Sequence, residues 1–188
     1  MIPTLKSLLI CATAVAPGAA FADWTGGYAG LSLGTLTNGE SVNGDFVATI
    51  ESDAIFEGLA GYQIQQGDFV FGGEVAFSPA AQLESQAGSE TQTADATFSD
   101  IKARAGYNLG PALVYGTAGL SQVELRPDGT DLTLTTDGFS LGFGADYLIN
   151  DQFSVGAEYL ARRLEIEQDG ETAEVTLDTI AVRASFRF

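Results

Sequence analysis

Few residues of this chain could carry out catalytic chemistry, and most of those are carboxylates. The sequence has no histidine, and its one cysteine, Cys11, lies near the start. The common hydrolytic and transfer mechanisms place a histidine base beside their nucleophile or use a thiol. The sequence also shows no phosphate-binding loop, cofactor motif or metal-ligand cluster. We therefore expect a protein that is not an enzyme and that binds no cofactor and no structural metal.

Ten charged residues are arranged in a regular way within segments of alternating hydrophobicity. Each lies on the face opposite the apolar residues of its segment, and five of them are acidic and five basic. A charge facing lipid near the middle of a membrane costs about 2–4 kcal/mol for Lys or Arg, which would explain this segregation. We expect a wet interior of balanced ion pairs, with Glu74 and Arg104 as a first pair. The set is Glu57, Glu74, Asp100, Lys102, Arg104, Asp146, Glu158, Arg162, Arg183 and Arg187.

The elements that would position these charges are short strands. Eight segments of about ten residues alternate with period two and are rich in Gly, Phe, Tyr, Val and Leu. A tilted strand of about 9–11 residues crosses a membrane. The predicted fold is an all-β, eight-stranded antiparallel up-and-down transmembrane β-barrel. The segments are 26–35, 55–65, 69–78, 98–109, 112–124, 138–148, 152–164 and 177–188.

The connections between these segments alternate in length. Tight turns are predicted near residues 67, 110 and 150, whereas 36–54, 79–97, 125–137 and 165–176 are predicted to be long polar loops. Short turns on the periplasmic side and long loops outside are typical of outer-membrane barrels. The face of the fifth strand is ambiguous, and the lipid-facing set Val114, Ala118 and Leu120 is favoured.

A soluble barrel with an apolar interior is the alternative fold. It predicts charged side chains scattered over the wet face, but here that face also carries many glycines. Small residues suit the crowded inside of a narrow barrel and have no purpose on a solvated surface, so the membrane barrel is favoured. These glycines are Gly30, Gly34, Gly61, Gly72, Gly106, Gly119, Gly142, Gly144 and Gly156.

The first 22 residues have the features of an export signal. Lys6 precedes an apolar run at 8–15, and Ala20-Phe21-Ala22 is a small-x-small cleavage site. We expect cleavage after Ala22, which leaves 23–188 as one outer-membrane domain. The chain holds 25 acidic residues and eight basic ones, a balance that argues against nucleic-acid binding.

The succession of short glycine-aromatic motifs resembles the small eight-stranded outer-membrane proteins of the OmpA transmembrane-domain and opacity-protein type, also called the porin family. The resemblance implies a role in envelope structure or surface interaction, in the outer membrane of a Gram-negative cell. It also implies that the C-terminal alternation with Phe186 and Phe188 is an assembly signal. The matching segments are 24–30, 61–62, 72–74, 115–119, 142–147, 156–159 and 182–188.

The expected partners follow from this location. They are outer-membrane lipid and lipopolysaccharide, the barrel-assembly machinery and periplasmic chaperones. The acidic loops form either a solvated surface or a site that recruits divalent cations through Glu165, Glu167, Asp169, Glu171 and Glu174. A narrow porin-like channel for small solutes or ions is the alternative function. We expect little conductance, because side chains fill an eight-stranded interior.

Overall fold

The computed structural model describes residues 23–43, 46–52, 54–87, 90–127, 133–168 and 171–188. This part of the chain forms nine strands, and no helix within it is long and apolar enough to cross a membrane. The strands are β1 (Gly26–Asn43), β2 (Phe46–Ser52), β3 (Ile55–Gln66), β4 (Phe69–Ala87), β5 (Glu90–Asn108), β6 (Ala112–Pro127), β7 (Leu134–Leu148), β8 (Phe153–Gln168) and β9 (Glu171–Arg187).

The strands form one closed antiparallel barrel. β1 pairs with β9 from Tyr28 opposite Arg187 up to Val42 opposite Glu174, so the first and last strands leave no free edge in the membrane, as lipid requires. β2 and β3 follow one another in a single position of the wall, since each pairs with both β1 and β4. Eight positions therefore surround the interior, and the predicted eight-stranded fold is confirmed.

Three tight turns connect strands at one end of the barrel. Gly67 and Gly110 have φ angles of 64° and 81°, a region that a residue without a Cβ enters without steric cost. At the third turn, the side chain of Asn150 accepts hydrogen bonds from the backbone N–H groups of Gln152 and Phe153. These are the turns that the sequence predicted.

The apolar faces of the strands point outward, where lipid surrounds the barrel. Ile101 and Phe143 are 67% and 65% exposed in the isolated chain. The ambiguous fifth strand takes the favoured register, because Val114 and Leu120 face outward while Leu113 is buried. The apolar face of each strand thus faces lipid, and the charged face lines the interior.

The prediction of four long loops is wrong for most of their length, because the strands continue through these segments. β4 and β5 remain paired from Phe69 opposite Tyr107 as far as Ala87 opposite Glu90. β8 and β9 are likewise paired up to Gln168 opposite Glu171. The barrel wall therefore extends well beyond the apolar belt. We call the described parts of 35–52, 79–99, 122–137 and 163–178 the extracellular extension.

The side-chain polarity of the wall inverts where the extension begins. On β5 below this level, Ile101 faces outward and Lys102 faces inward; above it, Thr97 lies on the outer face and Phe98 is buried inside. β6 changes in the same way, since Gln122 is exposed and Val123 is buried. The strand keeps its alternation, but the surroundings of the outer face change from lipid to water.

The interior of the extension is therefore an apolar core. It contains nine buried residues from six strands, with Phe98 1% and Leu164 1% exposed. Four of these residues, Ala81, Leu83, Ala96 and Val175, lie in segments predicted to be polar loops, and the other five lie at or near the ends of predicted strands. The nine are Ile55, Ala81, Leu83, Ala96, Phe98, Val123, Leu164, Val175 and Leu177.

This core predicts a rigid extension rather than mobile loops. Phe98→Ala removes a ring that is 1% exposed, a change that costs about 3–5 kcal/mol in a core. We expect hydrogen exchange to show protected amides at Ala94–Phe98 in the wild type and lost protection there in the variant. The lipid-facing Phe77→Ala is the control and should leave the extension protected. Rapid exchange of these amides in the wild type would contradict the fold of this part.

Candidate functional site: the charged interior

Glu74 is the centre of the barrel interior. Its carboxylate is fully buried, and the ammonium of Lys102 lies 3.0 Å from one oxygen while Arg104 Nη1 lies 3.2 Å from the other. The guanidinium of Arg183 also contacts this group, and the hydroxyl of Tyr28 donates to it at 2.9 Å. One carboxylate thus holds three cations and a phenol from three other strands, β1, β5 and β9.

A second carboxylate, Glu158, completes this layer from the opposite wall. It accepts hydrogen bonds from Lys102 Nζ at 2.5 Å, Arg183 Nη1 at 2.9 Å and the Tyr115 hydroxyl at 3.1 Å. Asp146 lies 2.7 Å from Arg104 Nη2. Three acids and three bases therefore balance each other within one buried cluster, which we call the central cluster: Glu74, Lys102, Arg104, Asp146, Glu158 and Arg183.

Arg162 forms a second layer nearer the extension. Its Nη2 lies 2.7 Å from Asp100 and 3.1 Å from Glu57, and its Nη1 donates to Thr179 at 3.2 Å. The hydroxyl of Ser121 also donates to Asp100. Since the apolar core of the extension begins directly above, these charges have little water available, and their hydrogen bonds must come from one another.

Arg187 lies apart from both layers, at the end with the tight turns. It donates to the carbonyl oxygen of Asp23 at 2.7 Å, and its guanidinium lies 5.0 Å from the centre of the Trp24 ring. Trp24 is 1% exposed, and its backbone N–H donates to Gln65. The residues just before β1 therefore fold across the barrel mouth. The pKa of Asp23 lies below its ordinary value because the backbone N–H and the hydroxyl of Thr25 donate to its carboxylate.

The ten residues singled out in the sequence all face the interior. Nine of them meet in the two layers, Arg187 does not, and Glu74 lies beside Arg104. Sequence reasoning missed Tyr28 and Tyr115, whose hydroxyls join the acids to the arginines. Their positions in the alternation, opposite the lipid-facing residues, were the signal that could have identified them.

Glycines make room for the two tyrosines. A Cβ placed on Gly61 would collide with the Tyr28 hydroxyl, and one placed on Gly144 would collide with that of Tyr115. The remaining space is small, since a cavity of about 10 Å³ lies between Lys102 and the surrounding side chains, roughly the room for one water. Among the described residues, no group of three or more acidic, histidine or cysteine side chains could hold a metal ion.

An ion pair on the outside of the wall marks the upper border of the apolar belt. Arg163 Nη1 lies 2.6 Å from Asp178, on the outer face just above the apolar belt. Phe139 is directly opposite Arg163 on the neighbouring strand and faces lipid. The position of this pair agrees with the height at which the polarity of the wall changes.

The central cluster predicts a large effect of removing its shared carboxylate. Glu74→Ala leaves Lys102, Arg104 and Arg183 with fewer acids, and breaking a buried ion pair costs about 3–5 kcal/mol. We expect this loss in urea unfolding of the barrel in lipid vesicles, followed by gel migration. Glu124→Ala removes an exposed partner of Arg126 at 3.9 Å and should change stability by less than about 1 kcal/mol. Equal effects of the two variants would contradict the central role of Glu74.

Comparisons with known proteins agree with this geometry. The family model for the outer membrane protein beta-barrel domain matches residues 7–188. The 31 kDa outer-membrane immunogenic protein of Brucella melitensis is 30% identical, over 92% of this chain and 88% of that protein. A 22 kDa outer membrane protein of Rhizobium leguminosarum bv. viciae is 30% identical, over 54% of this chain and 48% of its own length.

Solved structures show the same architecture. The crystal structure of the outer membrane protein OprG from Pseudomonas aeruginosa has a TM-score of 0.65 and 11% identity, and the match covers 88% of this chain and 97% of that one. This likeness concerns the fold alone. With its closed barrel, lipid-facing belt and matching family model, this chain belongs to the outer membrane protein β-barrel domain family and is an outer-membrane protein.

Proposed function

We propose that this protein is a non-enzymatic, non-conducting surface protein of the outer membrane, in which the barrel anchors the acidic extracellular extension. The filled interior is the observation that carries the proposal. The central cluster closes the barrel within the membrane, and the apolar core around Phe98 fills it above. Eight strands enclose only enough space for side chains, so no water path leads through these layers.

The outer face of the extension has the composition of a contact surface rather than of a catalytic site. Asp95, Glu124, Asp137 and Glu174 are all at least partly exposed there. The interior carboxylates already serve as ion-pair partners, which supports a non-enzymatic role. A turnover screen on lipid A and phospholipid tests this part, and release of acyl chains or phosphate would contradict it.

The proposed partners are those that an outer-membrane protein meets in the membrane and on its way there. They are lipopolysaccharide around the belt, and the assembly machinery and periplasmic chaperones during biogenesis. A divalent-cation role of the acidic residues between 165 and 174 is a further proposal. The side chains of Glu165, Glu167, Asp169 and Glu171 lie outside the described residues, whereas Glu174 is exposed on β9. We also propose that an export signal is cleaved after Ala22. Residues 1–22 lie outside the described part.

Planar-bilayer recording tests the non-conducting barrel. We expect no steady channel from the wild-type protein, because the central cluster leaves room for about one water. A Lys102→Ala variant removes the ammonium between Glu74 and Glu158. Brief channel openings in this variant and not in the wild type would support closure of the barrel by the central cluster. Steady wild-type channels that Lys102→Ala alters, and that the extension variant Glu124→Gln does not, would establish the narrow channel instead.

We also propose that Phe186 and Phe188 are an assembly signal. Phe186 packs its ring against Phe153 at 5.2 Å between centroids, whereas Phe188 is 79% exposed and bonds through its backbone N–H to Gly27. An exposed ring contributes little packing to the isolated barrel. Recognition of the Phe188 ring by the assembly machinery would explain why an aromatic residue stands at a position where it packs against little.

Removing the ring of Phe188 should therefore slow assembly more than it lowers stability. For Phe188→Ala we expect less folded protein in the outer membrane of growing cells, with an unfolding midpoint in urea close to that of the wild type. Ile149→Ala is the matched control, since Ile149 is an exposed apolar residue near the same end of the barrel. Normal assembly of Phe188→Ala, or an equal defect in the control, would refute the signal.

A further inference from the structure

The first half of the barrel contains a three-residue unit of defined geometry. The Tyr28 hydroxyl donates to Glu74 at 2.9 Å and accepts from Arg104 Nη1 at 2.8 Å. The same arginine lies 3.2 Å from the same carboxylate. Its Nε has no hydrogen-bond partner among the described residues.

The second half contains the same unit. The Tyr115 hydroxyl donates to Glu158 at 3.1 Å and accepts from Arg183 Nη1 at 3.2 Å. Arg183 lies 2.9 Å from the same carboxylate, and its Nε makes no hydrogen bond in the described part but lies 3.5 Å from Asp146. The two halves thus agree in the partners and in the direction of donation.

The strand registers repeat as well. In each half, the tyrosine is opposite a glycine, that glycine is opposite the glutamate on the next strand, and the arginine is opposite a second glycine. These are independent pairings on three successive strand pairs, so their repetition does not follow from one coincidence. The pairs are Tyr28–Gly61, Gly61–Glu74 and Gly72–Arg104 in the first half, and Tyr115–Gly144, Gly144–Glu158 and Gly156–Arg183 in the second.

The sequence around the arginines carries the same repeat. Ile101 and Ala105 flank Arg104 with the spacing at which Ile180 and Ala184 flank Arg183. The tight turn at Gly110-Pro111 lies where the first half ends and the second begins. Sequence, register and hydrogen bonding therefore divide the barrel at the same point.

Because β2 and β3 share one position of the wall, residues 26–108 and 112–187 each fill four positions, and we propose that they are two equivalent four-stranded units whose charged inner faces recognise each other. Five of the nine salt bridges between interior residues of the described chain join one unit to the other. They are Lys102–Glu158, Arg104–Asp146, Arg183–Glu74, Arg162–Glu57 and Arg162–Asp100. The inner face of each unit thus binds the equivalent inner face of the other unit.

One difference between the units provides the test. Lys102 is opposite Glu74 in the first unit, and Ala181 is opposite Glu158 in the second. The Lys102 ammonium lies between these two equivalent carboxylates, at 3.0 and 2.5 Å. Ala181 borders the same small cavity. If the units are equivalent, a lysine that starts from position 181 reaches the same point between the carboxylates.

The experiment compares thermal unfolding midpoints of the full chain in lipid vesicles. Lys102→Ala should lower the midpoint by roughly 5–10 °C, and adding Ala181→Lys should restore at least half of the loss. Adding Ala76→Lys instead is the matched control, because Ala76 borders the same cavity at a position without this symmetry, and it should restore little. No rescue by Ala181→Lys, or equal rescue by Ala76→Lys, overturns the proposal.

If the variant with the relocated lysine does not assemble, a second comparison tests the equivalence of the two units. Tyr28→Phe and Tyr115→Phe each remove one hydroxyl of the repeated unit, and equivalent units predict the same midpoint shift, about 2–4 °C. Tyr107→Phe is the control on the outer face, where the hydroxyl contacts Asp68 at 3.3 Å, and should shift the midpoint less. A shift in only one of the two interior variants overturns the equivalence of the units.

Discussion

The carboxylate of Glu74, held by three cations away from solvent, is the interaction on which the rest of the barrel depends. Charges cannot face lipid, and eight strands leave space for side chains but little for water. Each interior charge must therefore find its partners on other strands. That requirement fixes which strands oppose each other, and it places glycines such as Gly61 wherever a large side chain crosses the interior.

The same physics explains the change at the outer boundary of the membrane. Where lipid gives way to water, burial of apolar side chains becomes favourable inside the wall, and polar side chains become favourable outside it. β5 shows both regimes in one uninterrupted strand, from Lys102 inside the membrane to Phe98 inside the extension. The barrel thus joins a membrane protein with a polar interior to an extension that is packed like a soluble protein.

Much of this could be predicted from the sequence, because alternation reports directly on the two faces of a strand. The inward position of Arg183 and the outward position of Val182 both followed from it. The extension could not be predicted in this way. Segments such as 90–99 appear polar by composition, and recognising Ala96 and Phe98 as core requires knowing that the outer face has left the lipid. The four-stranded repeat was also hidden, because it lies in register and hydrogen bonding more than in residue identity.

The central claim is that one wall separates lipid from an interior filled by ion-paired side chains in the membrane, and water from an apolar core above it. Spin labels placed one at a time at residues 94–105 of β5 test this most directly, through their accessibility to oxygen and to a water-soluble nickel complex. The account predicts oxygen access at 101, 103 and 105, nickel access at 95 and 97, and neither at 96, 98, 100, 102 and 104. Nickel access at 102 and 104 would show a water-filled interior and contradict it.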